Sequence, residues 1–370
     1  MNTREQELIA AIARKDEVTA RSLMTGDLEP HTAEAAAKAA MEAGMIELFQ
    51  ELIRRALPLV DSLGETWLMK AAFMGNLLFV QLLHGGLGMP VNHQSRSGAT
   101  ALIRGCLSGK TDVVRYLVDH GANLNAEEKI GGGSSVLMGW ESFCGTPLMA
   151  AIVAGNDEAV RLLIERGADL TIRNSRTFDA LEMAIRLHRL DAMNALAKAR
   201  GLTLIDLLMT AARLNREVVR HLVESAHADV NARDAHGMTA VHQAARYGNY
   251  SFIHERVSRG AVNGAVEMIE YLLSVGARVD DPGPGGATPL MYAAETANGG
   301  LIDFLLGKGA NPDARDAQGR CAAEYVKYPE APPESWENAY EAWGWECHGL
   351  SDLENRLIKS MRQPPTPPKK

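Results

Sequence analysis

The strongest constraint on the fold of this chain is a pair of landmarks that keeps recurring: a threonine-led apolar stretch and, twenty-one residues after the threonine, Gly-Ala. Thr146-Pro147-Leu148-Met149-Ala150-Ala151 returns as Thr288-Pro289-Leu290-Met291-Tyr292-Ala293-Ala294. Looser copies are Thr239-Ala240-Val241-His242-Gln243-Ala244-Ala245 and Thr100-Ala101-Leu102. The partners at the fixed distance are Gly121-Ala122, Gly167-Ala168, Gly260-Ala261 and Gly309-Ala310. A fixed period of this size marks supersecondary units that cannot bury an apolar face alone and must stack on one another.

Between the landmarks lie two apolar-periodic segments, such as Glu158-Ala159-Val160-Arg161-Leu162-Leu163-Ile164, broken by Gly or Asn. The spacing predicts helix, tight turn, helix. The closing Gly suits the left-handed end of the second helix, and Asn123-Leu124-Asn125 or Asp229-Val230-Asn231 turns the chain outward into a hairpin-like loop. Aromatic residues make up only 5% of the chain, so a core of Ala, Leu, Ile, Val and Met is expected, which suits closely stacked helices.

This pattern resembles the ankyrin repeat, with its T-P-L-H-x-A-A opening, central Gly, Leu-rich second helix and G-A-D-x-N close. The resemblance runs over about residues 4 to 328, with nine repeats starting near residues 4, 33, 62, 95, 143, 175, 202, 233 and 281. It implies an all-α solenoid of stacked helix-turn-helix units with hairpin loops and a short non-repeat C-terminal cap. Residues 1–61 are expected to be degenerate capping repeats, 62–328 the repeats proper, 329–362 a Trp-rich cap, and 363–370 a Pro-rich disordered tail.

Three departures from the period stand out. Residues 127–142 lengthen one loop with a glycine-rich stem followed by Met138 and Trp140, with Phe143 just beyond. Twelve residues separate both Gly248 from Gly260 and Gly264 from Gly276; the more apolar 264–276 copy is expected to pack, leaving 249–263 as an insertion. Finally, only five residues separate Gly201 from Asp206, the position equivalent to the threonine, so that junction should lack its hairpin.

Chemistry-bearing patterns are sparse. Gly105-Cys106-Leu107-Ser108-Gly109-Lys110-Thr111 is one residue short of a phosphate-binding loop and has no strand before it. The remaining histidines lack metal-ligand spacing, no nucleophile and base are paired, and no cofactor motif is present, so no enzyme is expected. The four cysteines form no C-x-x-C pair, and the polar N-terminus and absence of a long apolar run give a cytoplasmic expectation. A formal charge of −8 disfavours nucleic acid as a general partner.

The resemblance places partners against hairpin tips and the concave face, where the residues just before the inter-helix turn are exposed. There Phe73, Met74, Leu107 and Val153 form an apolar stretch, followed by Arg186, Arg213, Arg246 and Tyr247. The apolar stretch suits a protein or extended peptide, and the arginines suit acidic segments in it. Trp140 and Phe143 could fold back on the apolar stretch or meet the partner directly. The expected role is a monomeric protein-interaction scaffold; the alternative is a recruiting or inhibitory module whose activity lies in the C-terminal segment or in an associated enzyme.

Overall fold

A computed structural model describes residues 3–24, 29–56, 60–129, 145–175, 177–247 and 263–326, together with Asn355, Leu357 and Lys359. Every extended element among the described residues is helical, and the only strand-like features are the isolated bridges Val60–Thr66 and Glu128–Gly145. The chain forms two compact units, Met1–Arg200 and Gly201–Lys370.

The first unit runs α1 (Thr3–Ala13), α2 (Glu17–Leu23), α3 (Pro30–Ala43), α4 (Ile46–Ala56), α5 (Trp67–Phe73), α6 (Leu77–Gln81), α7 (Ala101–Leu107), α8 (Thr111–Asp119), α9 (Pro147–Ala154), α10 (Asp157–Glu165), α11 (Ala180–Arg186) and α12 (Leu190–Arg200). The second runs α13 (Leu204–Leu214), α14 (Arg216–Glu224), α15 (Ala240–Tyr247), α16 (Asn263–Ser274), α17 (Pro289–Glu295) and α18 (Gly299–Gly307), then a 3-10 turn at Ala322–Tyr325. Odd-numbered helices pack on one another as a front row, α5 on α7 on α9 on α11 in the first unit and α13 on α15 on α17 in the second. Each even-numbered helix lies behind its partner, and α16 is the helix that packs behind α15.

The landmark residues explain these elements locally. Thr66, Thr100 and Thr146 are N-caps whose hydroxyls accept from the backbone N–H of Met69, Ile103 and Met149. Capping satisfies N–H groups that the first turn leaves without partners. Asp179 does the same for α11, and Glu182 returns the bond in a capping box. Asn76, Asn156 and Asn298 cap the second helices in the same way. Asp206 departs from the expectation. It keeps the packing register of the threonine, since Leu208, Ala211 and Ala212 are buried as their counterparts are. The helix nevertheless begins a turn earlier, at N-cap Thr203, and Asp206 closes a capping box with it.

Small residues let the rows approach closely. A methyl group added to Gly105 would stand 3.2 Å from Val113 Cγ1 and 3.3 Å from Leu117 Cδ1. Ala71, Ala72, Ala151, Ala184, Ala211, Ala244 and Ala293 are all fully or almost fully buried. An aromatic cluster of the first unit's core centres on Phe49, with its ring 5.6 Å from Trp67 and 4.9 Å from Phe79, both edge-on. Each such pair contributes about 0.5–1.5 kcal/mol beyond the buried area.

The hairpins repeat as regularly as the helices. In each, the first residue's N–H donates to a carbonyl four residues on: Asp61 to Glu65, Ser95 to Ala99, Asn174 to Phe178, Asp234 to Met238, Asp316 to Arg320. Neighbouring hairpins are joined by Arg96 N–H to Leu63 O at 3.0 Å and by Lys129 N–H to Ser97 O at 2.8 Å. Gly98 is required at one such contact, because its φ is +87° and a side chain would overlap the Glu127 carbonyl oxygen.

Residues 130–142, 249–262 and 329–354, which cover most of the two insertions and of the Trp-rich segment, lie outside the described residues, as does the 363–370 tail. Within the 329–362 segment, Leu357 is helical and fully buried.

Candidate interaction surface

In α5, α7 and α9 the residues just before the inter-helix turn are less buried than the helix residues that precede them in the core. In α5 the less buried stripe is Lys70, Phe73 and, at the C-cap, Met74, spaced at i, i+3 and i+4, while Trp67, Leu68, Met69, Ala71 and Ala72 are buried. Leu107 and Ser108 close α7, and Val153 and Ala154 close α9, all partly exposed. Because α5, α7 and α9 pack side by side, Phe73, Met74, Leu107 and Val153 share one face of the first unit. Trp140 and Phe143 lie outside the described residues, so the structure does not relate them to this row.

Beside the apolar row, toward the hairpins, lies a set of ion pairs that the sequence reading did not single out. Arg104 is almost fully buried and forks between two carboxylates. It donates to Glu65 Oε1 from Nε at 3.0 Å and from Nη2 at 2.8 Å, and to both oxygens of Glu128 at 3.1 and 2.9 Å. Ser97 Oγ donates to Glu128 at 3.2 Å. Burial works against the guanidinium charge, but Glu128 and Glu65 outweigh it and hold the Arg104 pKa above its ordinary value. One repeat earlier, Lys70 is paired with Glu34 and, at 3.0 Å, with Asp61. Burial opposes the ammonium as well, and the same two carboxylates raise its pKa.

Each of these two cations is thus flanked by two carboxylates. The signal in the sequence was a lone arginine in the otherwise apolar Ala101–Leu107 stretch. Its partners, 39 and 24 residues away, could not be read from spacing. Glu128, counted on sequence within the inserted segment, is tied into the stack through Arg104 and through its backbone bridge to Gly145.

The arginines foreseen as a row are engaged with their own surroundings. In the first unit Arg186 lies with its guanidinium carbon 4.6 Å from the centre of the Phe178 ring. In the second unit Arg213 and Arg246 end α13 and come near the end of α15, both partly exposed, with Arg246 5.5 Å from the centre of the Tyr292 ring. Tyr247 closes α15, and its side chain is outside the described residues.

His242 is fully buried. Its Nδ1 accepts from Thr239 N–H at 3.1 Å, with Thr239 Oγ1 at 2.8 Å, and burial holds its pKa below the usual imidazole value. This geometry ties the start of α15 to its own helix. Cys106 is buried in α7, and burial pushes its thiol pKa strongly up, as expected of a core cysteine. Among the described residues no three or more His, Cys, Asp or Glu side chains gather as a metal-holding group, and no helix is long and apolar enough to cross a membrane.

Comparison with known proteins agrees with this architecture. A family model of ankyrin repeats in three copies matches residues 36–128 and 259–316, and a single-repeat ankyrin model matches residues 145–175. Among curated proteins, the palmitoyltransferase Hip14 of Drosophila melanogaster is 36% identical over 109 residues, 29% of this chain and 14% of that protein. The ankyrin repeat, SAM and basic leucine zipper domain-containing protein 1 of Mus musculus is 41% identical over 58 residues, 16% of this chain and 12% of that protein. The BCL-6 corepressor-like protein 1 of Homo sapiens is 32% identical over 130 residues, 35% of this chain and 7% of that protein. The chain thus spans a seventh or less of the length of these relatives. A solved structure of the human ASB11 ankyrin repeat domain aligns with 82% of this chain and 100% of its own, with a TM-score of 0.32 and 21% identity. With the threonine caps, the paired helices, the zipped hairpins and both family models in agreement, the chain belongs to the ankyrin-repeat family.

Proposed function

We propose that this chain is a non-catalytic scaffold that holds a partner protein, and that the partly exposed row Phe73, Met74, Leu107 and Val153 on the front helices of the first unit is its principal contact. The supporting observation is the row itself: four apolar side chains on adjacent helices, at positions where the stack does not need them for its core. Ankyrin repeats are in general protein-interaction modules, and a contiguous partly exposed apolar stretch on such a module favours contact over chance. In the second unit, Arg213 and Arg246 would favour acidic residues in the bound segment. A reducing, cytoplasmic setting fits the buried, unpaired Cys106 and Cys321.

Affinity capture with the intact chain, set beside a Phe73→Asp, Leu107→Asp double variant of unchanged circular dichroism, tests the row. Loss of the captured protein in the variant is the expected result. Capture undiminished by both substitutions would remove the row as the contact.

A further inference from the structure

On the second helices of the first unit, a pair of histidines has a geometry that stack packing does not call for. Thirteen residues separate Gly75 from Gly88, against twelve from Gly109 to Gly121 and from Gly155 to Gly167. The extra residue is absorbed where α6 passes into a π-helical turn at Leu82–Gly86. Single π turns of this kind re-aim side chains and often occur at functional positions. His84 sits in this turn, and its neighbour across the repeat boundary is His120, at the C-cap of α8.

Both rings are fixed in the same way. His84 Nδ1 is 2.9 Å from the Met89 carbonyl oxygen, and His120 Nδ1 is 2.7 Å from the Tyr116 carbonyl oxygen. A carbonyl only accepts, so each Nδ1 must carry the proton, and in the neutral ring each Nε2 then carries a lone pair. Among the described residues no hydrogen bond engages either Nε2. An imidazole held through Nδ1–H to a backbone carbonyl is the arrangement that orients metal-binding histidines.

The separation also fits. The ring centres are 5.4 Å apart with planes at 83°. Two imidazoles bound through nitrogen at 2.0–2.1 Å to one tetrahedral ion would have ring centres about 5 Å apart. Tyr116 stacks on His120 at 4.0 Å and holds the ring in place. Asp119, the adjacent carboxylate, is held by Arg166.

We infer that His84 and His120 form a two-imidazole site for a divalent transition-metal ion of the zinc, copper or nickel class. Neutral imidazole selects these ions over magnesium and calcium. Water, or a side chain from a bound molecule, fills the other coordination positions.

The test is calorimetric titration of the full chain with Zn2+ at pH 7.5, comparing the parent with His84→Gln, His120→Gln and, as a control, His93→Gln, whose ring is bonded to the Gly64 carbonyl. One site weakened at least tenfold by either of the first two substitutions and unchanged by the third is the expected result. The tautomers are read separately by nitrogen-15 spectra, where Zn2+ should shift Nε2 of both rings and leave Nδ1 protonated. Zn2+ affinity that is the same in the parent and in His120→Gln would overturn the proposal, because the exposed His120 can be replaced without disturbing the core.

Discussion

Asn92, Asn125 and Asn231 occupy the same corner after the second helices of three repeats, those of α6, α8 and α14, and bind each repeat to the next. Asn92 accepts from Asn123 N–H at 2.7 Å and donates to Gly121 O at 2.9 Å. Asn231 accepts from Arg278 N–H at 3.2 Å and donates to Gly276 O at 3.0 Å, and Asn125 accepts from Asp169 N–H at 2.8 Å. Asp280 stands at the corresponding corner and accepts from Asn311 N–H at 3.0 Å, but an ionised carboxylate offers no donor in return. Burial raises its pKa above the ordinary 3.8. A carboxyl whose folded pKa is raised binds its proton more tightly when folded. Its contribution is therefore full below the unfolded pKa and lost as pH rises through the folded one. Asp280→Asn should restore the two-way bond and stabilise the chain at pH 7 by about 1 kcal/mol. Thermal melts should show a gain that shrinks toward pH 3.5; a gain independent of pH would contradict this account. The sequence showed these residues as turn formers, but the bonds they make reach 29 to 47 residues along the chain, so only the folded stack reveals them.

The helices themselves were legible because their signals are local. Thr146-Pro147 and Asn156 write the start of each helix of a pair, and Gly155, with φ at +71°, writes the turn between them. Two elements were not legible. The start of α13 moved a turn earlier because Thr203 and Asp206 satisfy each other's exposed groups, which outweighs the register implied by counting from Gly201. The π turn was hidden because one extra residue among Leu82-Leu83-His84-Gly85-Gly86 leaves the apolar pattern almost unchanged. Removal of Gly86 would return the spacing to twelve. The shortened chain should melt no lower than the parent, since Phe79, Val80 and Leu83 keep their buried places, yet it should lose the zinc response because His84 is re-aimed. A variant that melts well below the parent would show instead that the wide turn is required by the core.

Inside each unit the front helices touch their sequence neighbours, as α7 does with α5 and α9, and α15 with α13 and α17. Stability in such an array is the sum of terms between adjacent repeats. A charge placed in one layer should therefore unzip its neighbours and spare distant ones. Leu290→Asp, at a fully buried site in α17, should erase amide-exchange protection through α15 to α18 while α5 to α10 keep theirs. Uniform loss of protection would mean the array melts as one body. The ends of the front helices were readable from sequence because the turn residues after them recur with the period; the ion pairs next to them were not, because Arg104 draws Glu65 from the preceding repeat and Glu128 from the lengthened loop.

The backbone bridge at Glu128 and Gly145 carries a practical corollary. Two N–H to carbonyl bonds, at 3.0 and 2.9 Å, clamp Glu128 to Gly145, and Lys129 and Arg104 fasten the Glu128 side. Such a pair holds its α-carbons about 5.5 Å apart whatever the intervening residues are. The molecule therefore offers a splice port: an epitope, or a small domain with closely spaced termini, grafted between Lys129 and Gly145 would find both of its ends already held close together.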